Sequence, residues 1–104
     1  MSQLPRSITF TERQLQKKFK HASDLGISDS YSKESAKAFA DALNDHVADL
    51  DVQQIVGTFR RRAVIHYFKE ATSIDVLTEA DGTWISVWKL NDKQRKNLVE
   101  RGSL

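Results

Sequence analysis

The spacing of apolar residues changes from helical to alternating at Gly57, and that change limits the folds open to this chain. Before Gly57 the apolar positions recur with helical spacing; after it they alternate. Thr11-Glu12-Arg13-Gln14 has the pattern of a capping box, with Phe10 and Leu15 placed as a hydrophobic staple. The helix it opens carries Leu15, Phe19 and Ala22 at i, i+4 and i+7 and is predicted to stop before Gly26. A second helix is predicted from near Ser32 to about Asp49. Its apolar side is Ala36, Phe39, Ala40, Leu43, Val47 and Leu50, and its solvated side is Lys33, Asp41, Asp45 and Asp49. His46 on this helix is expected to face water.

Beyond Gly57 the stretches AVIHYF (63–68), SIDVLTE (73–79) and TWISVWKL (83–90) are rich in β-branched and aromatic residues. Asp81-Gly82 is a hairpin signal between the last two. IVGTF (55–59) supplies a further strand, with Arg60, Arg61 and Arg62 forming the turn. Asn91-Asp92-Lys93-Gln94 caps a short closing helix that Gly102 ends. The expectation is a single α+β domain over residues 1–104: N-terminal helices, an antiparallel meander of three to four strands and a C-terminal helix.

Such a domain must hold together without staples, because its 104 residues include no cysteine. No apolar run approaches the roughly 18 residues of a membrane span, so this domain is expected to insert into no membrane, and no signal-peptide pattern opens the chain. Net charge is only +2, but it is unevenly distributed. Residues 1–21 carry five Lys/Arg against one acidic residue, whereas 22–58 carry two against seven. Residues 59–71 and the tail from Lys89 are basic again. Basic segments that converge on one face would form the footprint of a polyanion binder; interspersed they are ordinary surface charge.

Two stretches could carry chemistry. In KKFKHASDLG (17–26), helical spacing puts His21 roughly 200° from Phe19, away from the apolar stripe and among Lys17, Lys18 and Lys20. Neighbouring positive charge lowers an imidazole's pKa and keeps it available as a general base, while the lysines could hold a phosphodiester. The same lysines could simply complement a helix C-terminus. In TWISVWKL, strict alternation puts Trp84, Ser86 and Trp88 on one face and Ile85 and Val87 on the other. If the helices cover Ile85 and Val87, the first face is free to stack nucleobases; alternatively the tryptophans are core. His66 reads as a packed strand histidine, and no His/Asp/Glu set has metal-ligand spacing.

Taken together, KKFKHASDLGI, GTF…VIHYF and DGTWISVWKL resemble the nuclease domains of the colicin D family and the colicin D-like toxin domains of contact-dependent growth-inhibition proteins. The resemblance runs from about Phe10 to Leu104. It implies a fold like the small barnase-type toxins and a metal-independent endoribonuclease that cuts tRNA in the anticodon loop, with no cofactor. The family's essential histidine falls on His21, its lysines on Lys18 and Lys20, and its serine and tryptophan on Ser86 and Trp88. Lys17, Arg60, Arg61, Arg62, Trp84 and Lys89 are expected to help hold substrate. The resemblance also implies a toxin delivered from the producer's surface or secreted within a larger protein, acting in the target-cell cytoplasm, and a cognate immunity protein, here expected to be acidic. A non-catalytic nucleic-acid-binding module and a protein-interaction domain using the acidic helix are the alternatives.

Overall fold

A computed structural model describes residues 8–104, so Arg6 of the first basic segment lies outside it. Helices lead into a four-stranded antiparallel meander that begins at Gln53, four residues before the expected change of period, so that Gly57 lies inside the first strand. Helix α1 (Glu12–Lys18) has the expected capping box: Gln14 N–H donates to Thr11 Oγ1 and Thr11 N–H to Gln14 Oε1. It does not run on to Gly26. From Phe19 to Leu25 the chain tightens into a 3₁₀ segment, closed by Gly26 at φ 85°. At about 120° per residue this segment aligns Phe19, Ala22 and Leu25 inward, and Lys18, His21 and Asp24 along another side.

Helix α2 (Lys33–Ala48) is capped by Ser32 and buries Ala36, Phe39, Leu43 and Val47. Two expectations fail at its end. The helix stops at Ala48, so Leu50 leaves the apolar stripe and is 88% exposed. His46 is buried rather than solvated, and its Nε2–H donates to the Tyr67 carbonyl at 2.7 Å. Burial lowers its pKa.

The strands β1 (Gln53–Phe59), β2 (Arg62–Lys69), β3 (Ile74–Thr78) and β4 (Trp84–Lys89) pair in sequence order. Cross-strand partners share a face, so register assigns the two sides of the sheet. Ile65, Tyr67, Val76, Trp84 and Val87 join Phe39, Leu43 and Val47 in the main core. On the opposite side Phe68 packs with Leu90 and Leu98, next to Ile55, Trp88 and Leu104, under helix α3 (Asp92–Arg101).

In β4 the alternation breaks. Leu77 pairs with Ser86 but Thr78 pairs with Trp84, leaving Ile85 as an extra residue in a β-bulge. Trp84 therefore turns into the main core, where it is 1% exposed and meets Phe39 and Phe10 edge-on. Ser86 and Trp88 stay on the opposite side. The expectation that Trp84 shares a substrate face with them, and that Ile85 is covered with Val87, is corrected by this one inserted residue. The bulge carbonyls have side-chain donors: Gln14 Nε2 to Trp84 O at 3.0 Å, and Trp84 Nε1–H to Ser86 O at 2.9 Å.

Under α3 lies a buried polar pair. His66 Nδ1 is 2.7 Å from Asp75 Oδ2, and its Nε2 is 3.0 Å from the Thr58 carbonyl, with both side chains fully buried. A carbonyl only accepts, so Nε2 carries a proton. Burial raises the Asp75 pKa, which the hydrogen bond to His66 opposes. The same Thr58 carbonyl accepts Leu104 N–H at 3.0 Å, while Thr58 N–H donates to Gly102 O at 2.8 Å and Arg60 N–H to Leu104 O at 3.0 Å. Residues 102–104 thus cover the C-terminal end of the β1 edge at Thr58, which would otherwise be open to pairing.

That covering depends on Gly57, because a Cβ there would collide with the Gly102 carbonyl. Gly57→Ala is expected to detach residues 102–104 from β1 and lose these hydrogen bonds, worth about 1 kcal/mol each. The melting temperature should fall by roughly 12–24 °C, measured by circular dichroism. An unchanged melting temperature would show that this edge contributes nothing to stability.

Candidate active site

The 3₁₀ segment lies beside β4, where the Lys89 N–H donates to Asp24 Oδ2 at 3.3 Å. This puts Lys18, Lys20 and His21 at one wall of a cleft of about 530 Å³. Ser86 and Trp88 form its floor, with Phe59 and Arg60 at the β1–β2 turn and Gln94 and Asn97 from α3. Five positions singled out in the sequence, Lys18, Lys20, His21, Ser86 and Trp88, therefore meet although the two groups stand far apart in the chain.

A line of rings crosses the cleft. His21 and Trp88 lie 6.4 Å apart between centroids, Trp88 and Phe59 5.2 Å, and the Arg60 guanidinium 5.1 Å above Phe59. Such a surface offers both a stacking face and a cation held against it. Arg60 is aimed there by an unusual turn. Phe59 pairs with Arg62, so Arg60 and Arg61 are the two central residues of a hairpin turn, at φ 51° and 69°. Left-handed backbone in non-glycine residues costs about 1–2 kcal/mol each, and such turns favour Asn-Gly.

His21 is half-buried, and its imidazole pKa is lowered, first by burial and then by the Lys20 and Lys18 charges; Asp24 opposes them. The Lys18 ammonium is also held below its ordinary value, by burial and by Lys20, Lys17 and Arg60. Both groups therefore give up a proton more readily than an ordinary imidazole or ammonium. Ser86 is 3% exposed and lines the cleft.

The other expected substrate-holding residues fall outside this cleft. Lys17 lines a neighbouring groove that shares Lys18 and Ile85 with it. Arg62 is paired with Glu79, and Lys69 with Asp49 at 2.7 Å on another side. Arg61 and Lys89 are exposed and do not line the cleft, and Trp84 is core. Convergence of basic segments is therefore partial: the first and second supply cations, but the tail supplies the amides of Gln94 and Asn97. Phe59, Gln94, Asn97 and Leu104 were not singled out in the sequence. Only Phe59 carried a local signal, as an aromatic next to an arginine run. Among the described residues no group of three or more His, Asp or Glu is placed to hold a metal ion.

The chain is similar to Colicin-D of Escherichia coli, with 39% identity over 84 residues, which is 79% of this chain and 12% of that protein. Its fold is similar to a ribonuclease from Escherichia coli solved with its inhibitor protein. The TM-score is 0.78 at 38% identity, covering 88% of this chain and all of the other. The Colicin D family model matches residues 14–98, the span that carries all of the cleft except Leu104, and the chain belongs to that family.

Proposed function

We propose that this domain is an endoribonuclease toxin that cuts tRNA in the anticodon loop without a metal. The observation that carries the reading is the meeting of a partly buried imidazole, two lysines, an arginine and a tryptophan floor in one cleft. Membership of the Colicin D family and the similarity to a ribonuclease support it.

In this reading the substrate backbone lies along Lys18, Lys20 and Arg60, with a base on Trp88. Neutral His21 removes the proton of the ribose 2′-OH. The 2′-oxygen attacks phosphorus and the bond to the 5′-oxygen breaks, giving a 2′,3′-cyclic phosphate and a 5′-hydroxyl. One imidazole cannot act as base and acid in the same step, so a second group must protonate the leaving oxygen. Lys18, more acidic than an ordinary lysine, suits that task, while Lys20 and Arg60 stabilise the charge on the phosphorane-like transition state. Ser86 hydrogen-bonds a phosphate oxygen in this reading.

The matched segment of the E. coli relative is a small part of a much longer protein. By analogy this domain is the nuclease portion of a larger toxin, secreted or displayed on the producer's surface and acting in the target-cell cytoplasm. The similar ribonuclease was solved with its inhibitor protein. A corresponding immunity protein for this chain would present carboxylates to the cations of the cleft.

Three measurements check these assignments. His21→Ala should retain the fold and lower cleavage of total tRNA in EDTA by at least about 100-fold; a rate within tenfold of wild type sinks the base assignment. For the pH dependence the sign is fixed by the lowered His21 pKa: activity should persist below the usual imidazole range and fail only as His21 protonates. Lys20→Gln removes a charge that favours the neutral ring, so the acid limb of kcat/KM should move to higher pH. A limb that stays put, or moves down, removes Lys20 from the control of His21. Association with the immunity protein should slow steeply as salt rises, because opposite charges steer the encounter. A salt-independent association rate, or tRNA cleavage that continues in the complex, overturns the substrate-mimic surface.

A further inference from the structure

The cations and rings of the cleft can grip any RNA, because phosphates and aromatic faces carry no sequence information. Sequence is read by hydrogen bonds to base edges, and amide side chains are suited to that task. The cleft has two such side chains, both from α3: Gln94 and Asn97, three residues apart and so on one face of the helix. Both are half-buried.

The hydrogen bonding of Gln94 is already half-determined. Its Oε1 accepts the Asn91 N–H at 2.9 Å in the capping box of α3, while Asn91 Oδ1 accepts the Gln94 N–H at 2.9 Å. Because a backbone N–H requires an acceptor, the oxygen and nitrogen of the Gln94 amide are fixed, and the group left for a ligand is the Nε2 donor. Asn97 has no side-chain hydrogen bond among the described residues and can offer donor and acceptor together. Helix α3 is itself fixed to the sheet through Leu98. The two amides are therefore held on a rigid support in the same cleft as the stacking ring.

We infer that Gln94 and Asn97 are specificity residues that read the edge of the nucleobase stacked on Trp88, with Gln94 donating to a base acceptor and Asn97 completing the pattern. This rests on the ribonuclease reading and adds to it which groups choose the cut.

The capping box makes a clean variant available. Gln94→Glu keeps an acceptor for the Asn91 N–H, so the helix start survives, but it replaces the Nε2 donor with an acceptor. Asn97→Ala removes the other amide away from the cap. Wild type and both variants are incubated with a random-sequence RNA pool and with total tRNA, and the new ends are sequenced. Melting temperatures establish that each protein is folded. The wild type should show a preferred base beside the cut, and each variant should weaken that preference by about tenfold. The added charge of Gln94→Glu also slows all cleavage, so the readout is base frequency and not rate. Cleavage with no base preference in the wild type, or variants that keep its preference, overturns the inference and leaves the nuclease intact. A wild type that cuts neither pool overturns the ribonuclease reading, and this one with it.

Discussion

The bulge at Ile85 is the constraint on which both the core and the cleft depend. One strand has to deliver Trp84 to the layer of α1 and α2, and Ser86 and Trp88 to the layer of α3. Regular alternation would send all three the same way. The inserted residue resolves this, and the surroundings stabilise it. Trp84 donates its indole N–H across the bulge to Ser86, and Gln14 donates to the Trp84 carbonyl. Gln14 also closes the cap of α1. The start of the first helix, the largest core side chain and the floor of the cleft are thus connected through two carbonyl groups.

The parts of the fold that sequence made legible are those set by local chemistry. All three capping boxes or cap positions, the stop at Gly26 and the meander follow from residue type and spacing. The position of His21 was legible for a related reason: its neighbours at one and three residues are lysines, whatever helix they sit in. The misplacement of Trp84 has a physical origin. A bulge shifts phase without leaving a signature in TWISVWKL, and the donors that hold it come partly from Gln14, 70 residues away. His46 misled because its acidic helix neighbours face water while it alone reaches the Tyr67 carbonyl. Gln94 and Asn97 were invisible as site residues because an amide on a helix announces nothing until the helix is docked.

The Arg60–Arg61 turn illustrates a different kind of limit. Hairpin geometry asks for residues that tolerate positive φ, and the chain places two arginines there instead. The offset comes from around the turn: the Arg60 N–H bonds Leu104, and its guanidinium rests on Phe59. Backbone strain held by several surrounding contacts at a cleft edge is a recognised feature of functional sites.

The cleft takes its residues from four separated stretches of the chain, Lys18 to His21, Phe59 and Arg60, Ile85 to Trp88, and Gln94 to Leu104. No contiguous fragment holds all of it: Ile85 to Leu104 supplies the floor and the α3 side, but the cations come from Lys18, Lys20 and Arg60. The site is therefore a property of the completed fold and vanishes with it, so a partly synthesised or locally opened chain has the cations but not the floor to use them against. Under the proposed toxin function, this amounts to built-in latency. In that reading an extended chain, whether nascent or in transit, carries no assembled site, and activity appears only where the chain folds.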